Sequence, residues 1–187
     1  MRPLPTALAA AVVAVMTALP AGALPVEHAI AGVSFVKQAP QWCGPAALES
    51  VLRYCGLAVT QQDIAGEIAL PNGRVLNLDL KLYARRRGLR AESSRGDCER
   101  LRSWIARDVP VICQVRLGAL GARQNHFIVV YGYDERRSCF IAHTGERAAQ
   151  EIPYLDFSRA WHDADNWMLV IRARQRERTE PAAREEG

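Results

Sequence analysis

The sequence predicts an α+β domain in which helices come first and an antiparallel sheet follows. Apolar residues in the first half recur at helical spacing. The second half breaks into short runs rich in β-branched and aromatic residues. The order of elements is the third observation, because helices and strands do not alternate as a doubly wound parallel sheet requires. The chain has 187 residues, 49% apolar and 24% charged, which excludes a disordered tail, a collagen-like fibre and a small disulfide knot. One domain with a real core is the natural count at this length.

The N-terminus reads as a targeting segment. After Met1-Arg2 comes a run from Ala7 to Met16 without a polar residue, then Pro20 and Ala21-Gly22-Ala23. A short positive start, an apolar stretch and a small-x-small end are the marks of a secretory signal, expected to be cut after Ala23. The apolar stretch falls short of the roughly 20 residues a membrane span needs, so no integral membrane segment is expected after signal removal. No cysteine follows the cleavage region to carry a lipid. The expected division is a signal over 1–23, a folded domain over 24–171 and a charged, solvated tail over 172–187. That tail holds five arginines and four glutamates in 16 residues. The implied location is the bacterial periplasm or the exterior.

Within the domain, Leu48, Val51, Leu52 and Cys55 form one apolar stripe on a helix that Gly56 can end. Thr60 with Asp63 reads as a capped start for a second helix carrying Ile64 and Ile68 and stopped at Pro71. Leu76 to Leu82 alternates like a strand, but Arg85 to Arg87 followed by Gly88 is a good helix ending. The expectation is therefore a helix from about Leu78. Asp97 can cap a further helix with Leu101, Trp104 and Ile105. Strands are expected over Val111 to Leu117, Phe127 to Tyr133, Cys139 to His143 and Trp167 to Ile171. Asp134 to Ser138 supplies a hairpin turn, and a short helix near Phe157 to Trp161 precedes the last strand.

Charge and cysteine usage narrow the function classes. The formal charge is only +4, too mild for a nucleic-acid binder with a concentrated basic face. Seven arginines between Arg85 and Arg102, set against Glu92, Asp97 and Glu99, could bind an acidic partner or simply form a solvated face. No two of Cys43, Cys55, Cys98, Cys113 and Cys139 have zinc-site spacing, so no metal and no cofactor is expected. An odd cysteine count in an oxidising compartment suggests one free thiol. The remaining four could form two bridges in three ways or stay reduced.

Cys43 is the candidate nucleophile. It lies in Gln38-Ala39-Pro40-Gln41-Trp42-Cys43-Gly44-Pro45-Ala46-Ala47-Leu48, just ahead of the apolar stripe, and Pro45 suits a first helical turn. A thiol at a helix start has its pKa lowered by unsatisfied N–H groups. Gly44 lets a backbone or substrate approach closely. Gln38 could point an amide N–H at a developing oxyanion, beside the backbone N–H of Cys43. His126 opens the strand from Phe127 and could act as general base and then acid toward the thiol.

These segments resemble the bacteriocin-processing, double-glycine type of papain-like cysteine peptidase. Val36-Lys37-Gln38 with Cys43 to Leu48 is similar to that family's cysteine motif, and His126 with Phe127 to Asp134 to its histidine strand. The strand from Cys139 and the segment Phe157 to Trp161 also resemble its later elements. The resemblance spans about Val33 to Ile171. It implies a papain-like fold, with N-terminal helices packed on a C-terminal sheet. It also implies peptide-bond hydrolysis of a peptide or protein substrate through an acyl-enzyme, with Cys43 as nucleophile, His126 as base and Gln38 as oxyanion donor. No phosphate loop of the Gly-x-x-x-x-Gly-Lys type occurs, so a free-standing exported hydrolase is expected rather than a transporter.

The resemblance fails at the third member of the site. The family's Asp-Pro position reads His143-Thr144 here. Asp134 lies eight residues along the strand from His126, roughly 26 Å away at about 3.3 Å per residue. Asn125, adjacent to His126, should face the other way. The expectation is that His143 accepts the Nδ1–H of His126, the alternative being water or a backbone carbonyl in that role. Two further functions stay open: transfer chemistry on thiol peptides like that of phytochelatin synthases, which share a Gln…Cys-Gly start, and a non-catalytic peptide-binding module.

Overall fold

The computed structural model of the chain describes residues 24–117 and 124–173. The expected signal over 1–23 and the charged stretch from 174 onward lie outside the described residues. The elements run β1 (Glu27–Ala29), α1 (Cys43–Tyr54), α2 (Gln61–Ile68), α3 (Asn77–Arg86), β2 (Arg90–Arg95), α4 (Cys98–Ile105), β3 (Val111–Leu117), β4 (Gln124–Asp134), β5 (Cys139–His143), β6 (Gln150–Pro153), α5 (Tyr154–His162) and β7 (Trp167–Arg172). Arg172, expected to open the tail, is the last residue of β7 and pairs with Arg90.

Each helix follows from a local signal. In α1, Leu48, Val51 and Leu52 are fully buried, and Gly56 ends the helix at φ +85°, where only glycine is unstrained. Thr60 and Asp63 close a reciprocal capping box at the start of α2, which typically contributes about 1 kcal/mol. In α3 the buried residues are Leu80, Tyr83 and Ala84, a helical stripe, while Leu78 is 54% exposed. The helical period thus prevails over the strand-like alternation from Leu76 to Leu82. Arg85 and Arg86 sit in its last turn, where the helix dipole favours cations. Asp97 caps α4 by accepting from the Arg100 N–H at 2.7 Å, and Leu101 and Ile105 are buried beneath it.

All strand pairs are antiparallel, in the order β2-β7-β3-β4-β5-β6, with β1 also paired to β4. The long strand β4 organises the sheet: β3 pairs with Gln124 to Val130, and β5 with Val129 to Asp134 on the other side. Helices α1, α4 and α5 pack on the sheet, burying Phe127, Val129, Val130, Phe140 and Leu169 in the core. Asp134 closes the β4–β5 hairpin by accepting the N–H groups of Arg136 and Arg137 at 2.8 and 3.1 Å.

Three strands carry no sequence signal. β2 reads Arg-Ala-Glu-Ser-Ser-Arg and buries only Ala91; its pairing with β7 along the edge of the sheet makes it a strand. β1 and β6 are short and largely exposed, one of them at the opposite edge. The arginine run is mostly consumed inside the fold. Arg86 and Arg87 pair with Glu67, Arg95 with Asp165 and Arg102 with Glu135, while the Arg85 Nε–H donates to the Ala91 carbonyl at 2.9 Å. All five cysteines are unbridged thiols. Among the described residues no helix is long and apolar enough to cross a membrane.

Candidate active site

Cys43 is the first residue of α1 and lines the cleft, partly buried. Gln41 adopts φ +67°, a left-handed conformation that turns the chain sharply into the helix. The first turn of α1 holds no acidic residue, and Trp42 supplies no side-chain cap, so the free N–H groups there are left for another acceptor. Gly44 has no room for a side chain: a Cβ would run into Val75 Cγ2 and would meet the Phe127 ring at 3.2 Å. That contact lets the loop before α3 close against the start of α1.

His126, on β4, shares the cleft with Cys43, close enough for each side chain to shift the other's pKa. One ring nitrogen is committed. His126 Nε2 lies 2.7 Å from the Thr144 carbonyl, which can only accept, so Nε2 carries the proton and Nδ1 is left for the thiol. Burial works against both charged forms here. It is outweighed at Cys43 by the His126 hydrogen bond, the Phe127 N–H, the His126 charge and the Gly44 N–H, which hold the thiol below its usual range. At His126 the Cys43 thiolate and the Thr144 carbonyl, with a smaller contribution from Glu146, hold the imidazole above its usual range. Both shifts move the site in the direction of a thiolate–imidazolium pair.

His143 is not the group that orients His126. Its Nε2–H donates to the Val33 carbonyl at 2.9 Å, and its Nδ1 accepts the Ala149 N–H at 3.1 Å. Both nitrogens are thereby occupied, the ring is buried, and burial pushes its pKa down, so it is a neutral structural pin. It stands beside Tyr131, with ring centroids 4.4 Å apart, and ties the segment before Gln38 to the β5–β6 connection. The backbone-carbonyl alternative takes the orienting place instead. Asp134 and Asn125 are also elsewhere: the first closes the hairpin, and the second accepts from Arg116 Nε at 3.1 Å.

Gln38 shares the cleft with Cys43 and His126. Its backbone N–H donates to the Gly145 carbonyl at 2.9 Å, and the next residue, Glu146, is held by Lys37. A carboxamide has two N–H donors, which can serve a further acceptor in the cleft. The turn after β5 therefore positions two site residues at once, His126 through the Thr144 carbonyl and Gln38 through the Gly145 carbonyl. Gly145 has φ +77°, and a Cβ on it would collide with Gln38 Oε1.

Sequence reasoning missed the device that fixes Gln38 from behind. The Gln61 side chain accepts the Ala39 N–H at 2.9 Å and donates to the Lys37 carbonyl at 2.8 Å, bracketing Gln38 on both sides. The Gln61 N–H in turn donates to buried Glu49 at 2.5 Å, and Glu49 pairs with Arg53 at 2.6 Å. In the sequence Gln61 is only a polar residue after the Thr60 cap, and its burial shows only in the fold. The cleft has a volume of about 790 Å³ and is walled by the loop before α3 on one side and the starts of β4 and α1 on the other. Among the described residues no group of three or more metal-ligating side chains occurs.

By fold this is a papain-like α+β domain, with a helix start and a central strand bringing a thiol and an imidazole together. More particularly, the chain belongs to the Peptidase_C39 like family, whose model matches residues 30–166. Among solved structures, a C39-like chain from Bacillus anthracis is 16% identical with a TM-score of 0.64, over 80% of this chain and 99% of that one. The peptidase domain of Streptococcus ComA, a bifunctional ABC transporter involved in quorum sensing, is 19% identical with a TM-score of 0.60, over 75% and 98%. A double-glycine-motif protease from an AMS/PCAT transporter, in complex with the leader peptide, is 21% identical with a TM-score of 0.61, over 78% and 94%. No curated protein matches the chain.

Proposed function

We propose that the chain is an exported cysteine peptidase that hydrolyses a peptide bond through Cys43 and His126. The observation that carries this reading is the committed imidazole: Nε2 lies 2.7 Å from the Thr144 carbonyl, which leaves Nδ1 for the Cys43 thiol in the same cleft. Membership of the Peptidase_C39 like family and the likeness to peptidase domains support the same class. The thiolate attacks the scissile carbonyl, and the oxyanion that forms is received by the Cys43 N–H and a side-chain N–H of Gln38. His126 then gives its Nδ1 proton to the leaving amine, which departs and leaves a thioester on Cys43. A water deprotonated by His126 attacks that thioester, releasing the new carboxylate and restoring the pair. The signal-like start from Met1 to Ala23 supports a periplasmic or secreted location.

Incubation with a defined peptide library and mass spectrometry of the products tests this. Discrete new termini are expected with the wild type and none with Cys43→Ala. Cleavage that persists in Cys43→Ala overturns the mechanism.

A further inference from the structure

We propose that the cleft selects an extended peptide bearing a carboxylate side chain, which Arg74 binds; the choice of bond cut rests on Cys43 being the nucleophile. The polar lining is dominated by carboxamides, among them Gln41, Asn77, Gln114, Gln124 and Asn125. A carboxamide offers both a donor and an acceptor, which suits peptide N–H and C=O groups but does not select charge. Several of these are paired only with each other, Asn77 with Gln114 at 3.2 and 3.0 Å and Gln124 with Gln41 at 3.4 Å, so a peptide backbone can replace one amide partner with another.

Charge in the lining comes chiefly from Arg74. Among the described residues no carboxylate lines the cleft, the Cys43–His126 pair sums to zero, and Arg74 is the one remaining charged side chain in the lining. Among the described residues its guanidinium has no ion-pair or hydrogen-bond partner. Arg116, beside Asn125 at the rim, adds the same sign. Glu146, the carboxylate on the far side of His126, is held by Lys37. A cleft of one sign concentrates ligands of the other.

Arg74 is presented from a defined place. Its turn is closed by three hydrogen bonds: Leu70 N–H to the Arg74 carbonyl at 2.8 Å, Gly73 N–H to the Leu70 carbonyl at 2.8 Å, and Arg74 N–H to Asn72 Oδ1 at 3.0 Å. Gly73, at φ +78°, packs that turn onto the loop entering α1, where a Cβ would stand 3.1 Å from Gln41 Cβ. Leu70 and Leu76 line the cleft on either side of Arg74 and are 40% and 53% exposed, so apolar contacts flank the charge.

The test uses Cys43→Ala, which binds without turning over, and two fluorescein-labelled peptide pools matched except for Glu against Lys at the varied positions. The Glu pool should bind about threefold tighter at moderate ionic strength, with the difference growing at low salt. Arg74→Glu should reverse the preference, and Arg90→Glu, on the far edge strand, should leave it intact. An unchanged Cys43 labelling rate in Arg74→Glu, measured with the thiol present, checks that the site is still formed. Equal binding of the pools, no binding of either, or a preference that survives Arg74→Glu overturns the proposal. Turnover by the wild type separates the two claims: cleavage without charge preference leaves the peptidase reading standing, and charge preference without cleavage leaves this one.

Discussion

The Nε2–H of His126 is held by the Thr144 carbonyl at 2.7 Å, in the place where a carboxylate was sought in the sequence. A carbonyl dipole fixes the ring as firmly as an aspartate but stabilises the imidazolium less, because it carries no full charge. The positive ring depends correspondingly more on the Cys43 thiolate, which makes the two groups titrate as one unit.

The neutral, doubly bonded His143 is predicted to matter for stability and not for the chemical step. His143→Ala strands the buried Val33 carbonyl and removes the acceptor of the Ala149 N–H, and should cost about 1–3 kcal/mol in urea unfolding. The pH profile of kcat/KM should keep its shape. His143→Asp should be no better, because a carboxylate cannot donate to Val33. The pH dependence has a definite sign: the folded-state pKa is depressed, so the unfolded chain binds the extra proton. Stability assigned to His143 is complete above its unfolded value of about 6.5 and is lost as pH falls below that toward the folded value. Comparing the pH dependence of unfolding in the wild type and His143→Ala checks this.

Gln61 should act on turnover through Gln38. Removing its side chain in Gln61→Ala frees the loop on both sides of Gln38, and kcat should fall about tenfold, as expected for a misplaced oxyanion donor. The pH midpoint of Cys43 alkylation, which needs no oxyanion donor, should not move. In the double variant with Gln38→Ala the losses should be far from additive, since one acts by way of the other. Additive losses would mean that Gln61 serves the fold alone.

Gly145→Ala should strain its turn and dislodge Gln38 while leaving the Thr144 carbonyl on His126. The φ of +77° costs an L-residue about 1 kcal/mol, and the new methyl group displaces the Gln38 amide. A lower urea midpoint together with reduced kcat is expected, with the thiol reactivity of Cys43 largely kept.

Much of this was legible in the chain. The stripe Leu48–Val51–Leu52 fixes α1 and hence the helix-start position of Cys43, and the apolar run after His126 fixes β4. Thr60–Asp63 and Asp97 place two more helix starts through local hydrogen bonds that any capping rule can read. Illegible were the features that depend on backbone atoms or on distant pairing. The Thr144 carbonyl has no signature, since every residue has one. β2 becomes a strand only because β7 offers it an edge, and His143 was misassigned because sequence position showed its proximity to the site but not that Val33 and Ala149 had taken its nitrogens.

The central claim, a thiolate–imidazolium pair made by Cys43 and His126, is tested most directly by the pH dependence of iodoacetamide alkylation at Cys43. The thiolate is lost as pH falls through the lowered Cys43 pKa, and the imidazolium is lost as pH rises through the raised His126 pKa, so both shifts move the site toward the charged pair. The predicted result is a labelling midpoint well below the free-thiol value of about 8.5, with Cys43 faster than the other four cysteines and the midpoint rising in His126→Ala. A midpoint near that of a free thiol, or one that does not move in His126→Ala, would contradict the account.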